Sequence, residues 1–128
     1  MERSQRSPLP GSTGEAYASR YLESKAYAII ARNYRWRGGE IDIVARDGSQ
    51  TVFVEVKERG TDGHGSGWEA VGYGKRRRLV RAALGFAARY GLLDATLRFD
   101  VISIDWSAGS PALRHDVNAF DARGRCSL

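Results

Sequence analysis

The feature that most constrains the fold is a pair of apolar segments joined by a short turn. Residues 40–46 ("EIDIVAR") and 51–57 ("TVFVEVK") flank the sequence "DGSQ". Segments rich in β-branched and aromatic residues on both sides of a Gly-containing turn predict an antiparallel hairpin. Asp42, Glu55 and Lys57 interrupt these strands, so the hairpin carries charges among neighbours that indicate burial.

Two turns fit the connecting residues, and they predict different strand registers. A type II′ loop at residues 48–49 sets Asp42 directly opposite Glu55. A type I′ loop at residues 47–48 instead sets Glu40 opposite Glu55. In both registers Asp42 and Glu55 project from one face, together with the lysine two residues beyond Glu55, because side chains alternate along a strand.

Two carboxylates at this separation repel each other and need a counter-charge in a partly buried site. Lys57 supplies one positive charge, and a divalent cation would supply two, since oxygen ligands suit such ions. The alternative is a structural salt bridge on a solvated sheet face. Phe53 shares the face of the acids, and exposed salt bridges contribute only about 0–1 kcal/mol. The hairpin therefore favours a metal site over a surface ion pair.

Helices and strands alternate through the rest of the chain, which predicts an α/β fold with a mixed sheet and helices packed on its faces. The predicted elements are a helix over 12–27, a strand over 28–36, the hairpin, a helix over 68–91, a strand over 96–106 and a short last element at 115–120. The apolar stripe predicted for the second helix comprises Leu79, Val80, Ala83, Leu84, Ala87 and Tyr90.

A chain of 128 residues predicts a single domain. We expect a disordered N-terminus over residues 1–11, one folded domain over 12–120 and a loose tail over 121–128. The Gly-rich stretch at 59–67 predicts a mobile loop. One cysteine excludes a disulfide framework, and no apolar run resembles a signal peptide or a membrane span, so we expect a cytoplasmic location and no membrane partner.

The charge balance predicts a nucleic-acid partner. The formal net charge is +5, and 17 of the 20 basic residues are arginine. Arginine binds phosphate through a planar fork of donors, and basic domains attract polyanions. A dense basic cluster begins the second helix and consists of Lys75, Arg76, Arg77, Arg78 and Arg81. We expect this cluster, and Arg59 after the second hairpin strand, to contact phosphates.

An Asp followed about a dozen residues later by Glu-x-Lys on the adjacent strand resembles the PD-(D/E)xK nuclease superfamily. Here the matching residues are Asp42 and Glu55-Val56-Lys57, with Ile41 in place of the customary proline. A longer series of motifs resembles the YraN family of small bacterial proteins, which are called endonuclease-like because of their fold. In order, the motifs are "GE" at 14–15, "RNYR" at 32–35, "GEIDIVARDG" at 39–48, "VFVEVKER" at 52–59, "EAV" at 69–71, Lys75, "RFDVI" at 98–102 and "NAF" at 118–120.

The resemblance implies a restriction-endonuclease-like αβββαβ core and a metal-dependent site. Asp42, Glu55 and the Val56 carbonyl would hold Mg²⁺ or Mn²⁺, and Lys57 would orient the attacking water or stabilise the charge that develops on the phosphate. An acid on the first helix joins this set in the similar Holliday-junction resolvases. Glu15 matches it, as a metal ligand or a catalytic group, although Glu15 also has the spacing of a helix cap.

The resulting hypothesis is a metal-dependent endonuclease that acts on DNA phosphodiesters, with branched or otherwise structured DNA as the implied substrate. Branched substrates would favour a symmetric homodimer. Two alternatives stay open: a nucleic-acid-binding protein of nuclease fold with little or no cleavage, and a partner-binding module that retains only the fold.

Overall fold

The computed structural model describes residues 13–60 and 72–123, which form a five-stranded sheet between two helices. In chain order the elements are α1 (Thr13–Ser24), β1 (Ala28–Trp36), β2 (Gly39–Asp47), β3 (Gln50–Arg59), α2 (Tyr73–Arg89), β4 (Thr96–Asp105) and β5 (Ala112–Phe120). The predicted α/β class is confirmed. The expectations for residues 1–11, for most of the Gly-rich stretch and for the end of the tail lie outside the described residues.

The strands lie in the order β1-β2-β3-β4-β5, and neighbouring strands are antiparallel except for the parallel pair β3 and β4. The parallel pair needs a crossover connection, and α2 lies within it. The sheet is therefore mixed, as predicted. Neither α1 nor α2 is long and apolar enough to cross a membrane.

Each helix covers one face of the sheet with its own apolar core. On the α2 face, Phe53 of β3 packs against Phe86 of the helix and stacks on Phe99 of β4. On the α1 face, Leu22 of the helix packs among the branched side chains of β2, β3 and β4. The two cores leave the middle strands covered on both sides, which explains why β3 and β4 read as nearly continuous apolar runs.

The stripe predicted for α2 was wrong at two positions. Leu84 is 40% exposed and Tyr90 is 53% exposed, whereas Ala82 and Phe86 are buried. Leu84 lies five residues from Leu79, which places it about 140° around the helix from that residue. Tyr90 follows the last helical residue, and its ring rests against Phe86 at a centroid distance of 4.6 Å.

The alternation of faces along β2 breaks next to Asp42. The sequence places Ile41 and Ile43 on one face, but Ile41 belongs to the α2 core and Ile43 to the α1 core. In the β1–β2 register, the residue opposite Asp42 is Asn33, whose φ of 56° is left-handed. This conformation interrupts the regular pleat at the level of Asp42, so the backbone turns the neighbouring side chain to the other face.

A second aspartate is buried in the sheet and fully partnered. Asp100 on β4 is 0% exposed and accepts two hydrogen bonds from Arg98, at 3.0 and 2.9 Å, and one from the Asn118 N–H at 3.0 Å. His115 Nε2 lies 2.7 Å from the same carboxylate. Burial alone would raise the pKa of Asp100, but these partners outweigh it and lower the pKa. Asp100 and Arg98 therefore form a buried ion pair within β4.

Candidate active site

The hairpin adopts the register that sets Asp42 opposite Glu55. Gly48 has a φ of +62° and the next residue does not, as in a type II′ loop, and Asp47 pairs with Gln50. From this turn the paired residues run to Ile43 and Val54, where the regular ladder ends. Of the two turns that the sequence allows, the structure has the type II′ loop at residues 48–49.

Strands β2 and β3 separate at the next pair of residues, Asp42 and Glu55. The Val56 N–H donates to Asp42 Oδ2 at 2.8 Å, so a side chain of β2 accepts from β3 where the backbone ladder has ended. The two carboxyl groups lie within hydrogen-bonding range of each other. The strand separation therefore opens space for carboxyl groups in the middle of the sheet.

Three carboxyl groups converge on this gap, and Glu55 adjoins them. Glu15, in the first turn of α1, lies within hydrogen-bonding range of Asp42. Carboxylate oxygens of Glu15, Glu40 and Asp42 all lie within 4.8 Å of one another. Oxygens that share a divalent cation at ~2.1 Å are at most about 4.2 Å apart. The cluster is thus close to the size that a bound cation requires, and Glu55 adjoins it through Asp42.

Burial and mutual repulsion raise the pKa values of these acids. Burial and the charge of Asp42 raise the pKa of Glu15 to about 7, and the same causes raise the pKa of Glu55 to about 7. Burial also raises the pKa of Asp42, although the hydrogen bond from the Val56 N–H opposes the shift. At neutral pH the cluster therefore shares protons that a cation could replace.

One oxygen of Glu15 is left without a protein partner. The side chain is 7% exposed, and its Oε1 is buried and accepts no hydrogen bond from the described residues. A buried polar atom without a partner costs about 1–3 kcal/mol. Glu15 belongs to the carboxylate cluster, and in the described structure this oxygen remains an acceptor without a partner.

One cation beside the cluster comes from α2. Lys75 Nζ lies 2.6 Å from Glu55 Oε2, and Glu55 is 3% exposed. Burial disfavours the ammonium charge, but the hydrogen bond and charge of Glu55 raise the pKa of Lys75. Lys57 lies on β3 two residues beyond Glu55, half-buried, opposite Ser103 of β4. The helix lysine thus supplies a counter-charge to Glu55 that the sequence did not predict.

The predicted phosphate-binding cluster spreads around α2. Arg77 donates to the Arg123 carbonyl at 3.2 Å, and the Arg76 guanidinium lies over the Tyr73 ring. Arg81 is exposed. On β3, Arg59 donates to Asp105 Oδ2 at 3.1 Å, so the structure pairs this predicted phosphate contact with an acid.

Lys75 and Arg78 line a cavity of about 420 Å³ beside the carboxylate cluster. The turn between β1 and β2 forms the opposite wall and includes Arg35 and Arg37. Glu40 also lines the cavity and belongs to the carboxylate cluster, so the two features share an edge.

Comparison with known proteins places this arrangement in a family. The sequence model of the uncharacterised protein family UPF0102 matches residues 14–104. A UPF0102 protein of Geobacter metallireducens is 51% identical over 111 residues, which cover 87% of this chain and 91% of that protein. The chain belongs to UPF0102.

Two further UPF0102 relatives match nearly the whole chain. A protein of Geobacter sulfurreducens is 49% identical over 121 residues, covering 94% of each chain. A protein of Anaeromyxobacter dehalogenans is 43% identical over 115 residues, covering 90% of this chain and 86% of that protein. The UPF0102 match starts one residue before Glu15 and contains every residue of the carboxylate cluster, whereas β5 lies beyond it.

Sequence reasoning missed three features of the UPF0102 site. It treated Glu40 as secondary, but Glu40 lies in the cluster, two residues before Asp42. It did not foresee the ion pair between Lys75 and Glu55, since no local pattern links α2 to β3. It placed no function on the "RWRGG" turn at 35–39, whose two arginines around a tryptophan were the available signal.

Proposed function

We propose that the chain is a metal-dependent endonuclease of the PD-(D/E)xK superfamily that cleaves DNA phosphodiesters. The observation that carries the proposal is the cluster of Glu15, Glu40, Asp42 and Glu55 where β2 and β3 separate, on a molecule of net charge +5. The order α-β-β-β-α-β of the first six elements supports a restriction-endonuclease-like core.

The residues present fit a divalent cation. Hard cations prefer carboxylate and carbonyl oxygens, and the cluster offers several carboxylates, one of them with a buried oxygen that lacks a partner. Asp42, Glu55, the Val56 carbonyl and Glu15 would hold Mg²⁺ or Mn²⁺. When bound, such an ion polarises a phosphodiester oxygen and lowers the pKa of a water molecule.

The protein's own cations would bind and orient the DNA. Lys75 bridges the carboxylate cluster and the neighbouring cavity, so its ammonium can reach a phosphate next to the scissile bond. Lys57, on the same strand as Glu55, would hold the attacking water or the charge that develops on the phosphate. Arg78 and the arginines of the opposite turn would bind flanking phosphates.

The test combines cleavage with metal binding. Purified protein is incubated with Mg²⁺ or Mn²⁺ and labelled single-stranded, duplex, flap and four-way-junction DNA, with RNA as a further substrate. Asp42→Asn and Lys57→Met should each lower the cleavage rate at least 100-fold. Calorimetric titration with Mn²⁺ should show weaker binding for Asp42→Asn and no weaker binding for Lys57→Met.

Glu23→Gln is the matched control, because Glu23 is an exposed acid on the same helix as Glu15. This variant should cleave and bind metal like the wild type. Cleavage that persists in Asp42→Asn would contradict the proposal, as would a wild-type protein that cuts no substrate. DNA binding without cleavage would instead support a binding protein of this fold.

A further inference from the structure

A cavity of about 420 Å³ lies between the turn that joins β1 to β2 and the N-terminal half of α2. We infer that this cavity binds one unpaired nucleotide of a DNA strand beside the carboxylate cluster, so that the preferred substrate is single-stranded at that position. The inference rests on the proposed function for the chemistry of the neighbouring cluster. It adds a substrate class and a set of residues that select it.

The size and shape of the cavity favour a single nucleotide. Its volume falls within the roughly 300–1,000 Å³ range of small-ligand sites. It is a concave space between a helix and a turn, which a flexible strand can enter. A nucleotide within a duplex is held by pairing and stacking, and it must leave the stack before it can enter such a space. An unpaired strand avoids that cost.

The charges of the cavity fit the phosphates of that nucleotide. Its lining includes four basic side chains and one acidic side chain: Arg35, Arg37, Lys75, Arg78 and Glu40. Trp36 and Leu79 add apolar surface. Grooves that bind single strands are usually lined by both cationic and aromatic side chains. Because Lys75 also contacts Glu55, a phosphate bound in the cavity would lie beside the carboxylate cluster.

The turn places Arg37 at a position that disfavours arginine. Its φ is 32°, and the next residue, Gly38, has a φ of 74°, so both central residues are left-handed. Glycine and asparagine tolerate this conformation better than arginine. Arg37 therefore lowers stability while it brings a guanidinium to the cavity, over the Trp36 ring at 5.7 Å. Strained residues of this kind concentrate at ligand sites.

Trp36 is itself fixed in place by the helix. A Cβ built on Gly85 would lie 2.5 Å from the Trp36 ring, so α2 carries no side chain where the indole packs. This contact holds the turn against α2 and keeps the cavity formed without a ligand.

The test measures DNA binding by fluorescence anisotropy in EDTA, so that no cleavage intervenes. The probes are a labelled 15-nucleotide single strand and the duplex of the same sequence. Arg37→Asn, which suits the left-handed turn, should melt at or above the wild-type temperature yet bind the single strand at least fivefold more weakly. Arg78→Ala should weaken single-strand binding similarly. Duplex binding should change less than twofold in both variants.

Arg89→Ala is the matched control, because Arg89 is an exposed arginine at the other end of α2. It should leave the single-strand preference of the wild type unchanged. For Arg37→Asn, the slope of log Kd against log salt should fall by about 0.7, the value for one lost phosphate contact on a single strand. An equal loss in Arg89→Ala, or equal losses for single strand and duplex, would overturn the inference.

Cleavage assays separate this inference from the proposed function. If the wild type cuts DNA but Arg37→Asn and Arg78→Ala bind single strands normally, the cavity assignment is wrong and the nuclease stands. If no substrate is cut but single-strand binding still depends on both arginines, the nuclease is wrong and the cavity assignment stands. A wild type that does not prefer the single strand overturns the cavity assignment.

Discussion

Glu15 is the acid of the carboxylate cluster whose surroundings satisfy it least in the described structure. It is nearly buried, lies beside Asp42 and keeps one oxygen without a partner in the described structure. Arg32 and Asn33 favour its charged form, but burial and the neighbouring carboxylate prevail and raise its pKa to about 7. A chain selected for stability alone would gain from a neutral side chain at this position.

The first prediction concerns the pH dependence of stability. Between pH 4.5 and about 7 the folded protein keeps a proton on Glu15 that the unfolded chain has released, so the free energy of unfolding falls as the pH rises. Glutamine does not titrate, so Glu15→Gln removes the part of this decrease in the free energy of unfolding that Glu15 causes. In EDTA the variant should be more stable than the wild type by about 1–3 kcal/mol at pH 8 and nearly equal at pH 4.5.

Urea denaturation at both pH values measures the difference, and Glu23→Gln serves again as the exposed control. Glu55 titrates in the same window, so the variant should reduce the pH dependence without abolishing it. A Glu15→Gln protein with the full wild-type dependence would show that Glu15 is charged in the folded state at pH 5.

The second prediction concerns Lys75, whose ammonium neutralises Glu55 in the described structure. Lys75→Met removes a positive charge beside the proposed metal site, so Mn²⁺ should bind more tightly, on the order of fivefold. The same change should weaken single-stranded DNA binding, because the cavity loses a cation. Lys25→Met, at an exposed lysine on the Tyr21 ring, should change neither.

Titration calorimetry for the metal and anisotropy for the DNA measure the two effects separately. If Lys75→Met binds Mn²⁺ more tightly and single-stranded DNA more weakly, then Lys75 opposes the metal and also binds the DNA. Weaker binding of both ligands would mean that Lys75 positions Glu55 rather than competing with the metal.

The sequence was sufficient to place Asp42 and Glu55 together, because strand alternation puts them on one face with either of the two possible turns, although it left the register open. It did not reveal that α2 also supplies a cation. Lys57 is the near neighbour of Glu55 along the chain, and Lys75 of α2 forms an ion pair with Glu55. That contact depends on how the helix lies against the sheet, which no local spacing encodes.

At the scale of elements, the approach of β2 to α2 determines the shape of the cavity. A Cβ built on Gly39 would lie 2.5 Å from the Arg78 carbonyl oxygen and 3.1 Å from the Ala82 Cβ. Glycine therefore allows the first residue of β2 to touch the helix backbone. The double glycine at 38–39 serves two purposes, since Gly38 supplies the left-handed turn and Gly39 the close contact.

The third prediction follows from this contact. Gly39→Ala should destabilise the protein by about 1–3 kcal/mol, because the helix backbone cannot move aside as a flexible side chain can. Gly74→Ala is the matched control within α2, where the added Cβ meets only the end of Arg78 at 3.6 Å. That control should gain about 0.4–1 kcal/mol.

Denaturant unfolding of both variants measures the difference. Gly39→Ala should also weaken single-strand binding if α2 moves away from the turn. Equal stabilities for Gly39→Ala and the wild type would show that the helix and strand are not in contact at this point.

The helices and strands themselves were largely predictable, and the errors have local causes. Hydrophobic periodicity located both helices. It assigned Leu84 and Tyr90 to the buried stripe because they are large and apolar, but such a side chain need not lie on the buried side of a helix. The predicted face of Ile41 was wrong, because Asn33 on the neighbouring strand has a left-handed backbone conformation. The sequence pattern does not reveal that conformation.

At the scale of the whole molecule, one polar network links most of the elements. Arg98 on β4 donates to Asp47 of β2 at 2.9 Å, to Gln50 of β3 at 2.7 Å and to the Tyr27 hydroxyl at 2.6 Å. His115 of β5 connects the same network to the Tyr21 hydroxyl of α1 at 3.1 Å. The network fixes the sheet at the end away from the carboxylate cluster.

The fourth prediction concerns the centre of this network. Asp100→Ala should cost about 3–5 kcal/mol, because it leaves the buried Arg98 guanidinium and His115 without their shared carboxylate. Asp94→Ala, at an exposed acid between α2 and β4, should change the stability by less than about 0.5 kcal/mol. If Asp100→Ala and Asp94→Ala change the stability equally in denaturant unfolding, the other hydrogen-bond partners of Arg98 are sufficient to stabilise its charge.

Glu15 has a last consequence, because it is the member of the carboxylate cluster that does not belong to the sheet. An ion shared by Glu15 and Asp42 would tie α1 to β2 in addition to their apolar contacts. Backbone amides of α1 should then exchange with deuterium more slowly when Mn²⁺ is present, while those of β4 are unaffected. Absence of that protection would mean that the ion binds without Glu15. The first helix would thus be held more firmly against β2 when the ion binds, and less firmly when a chelator removes it.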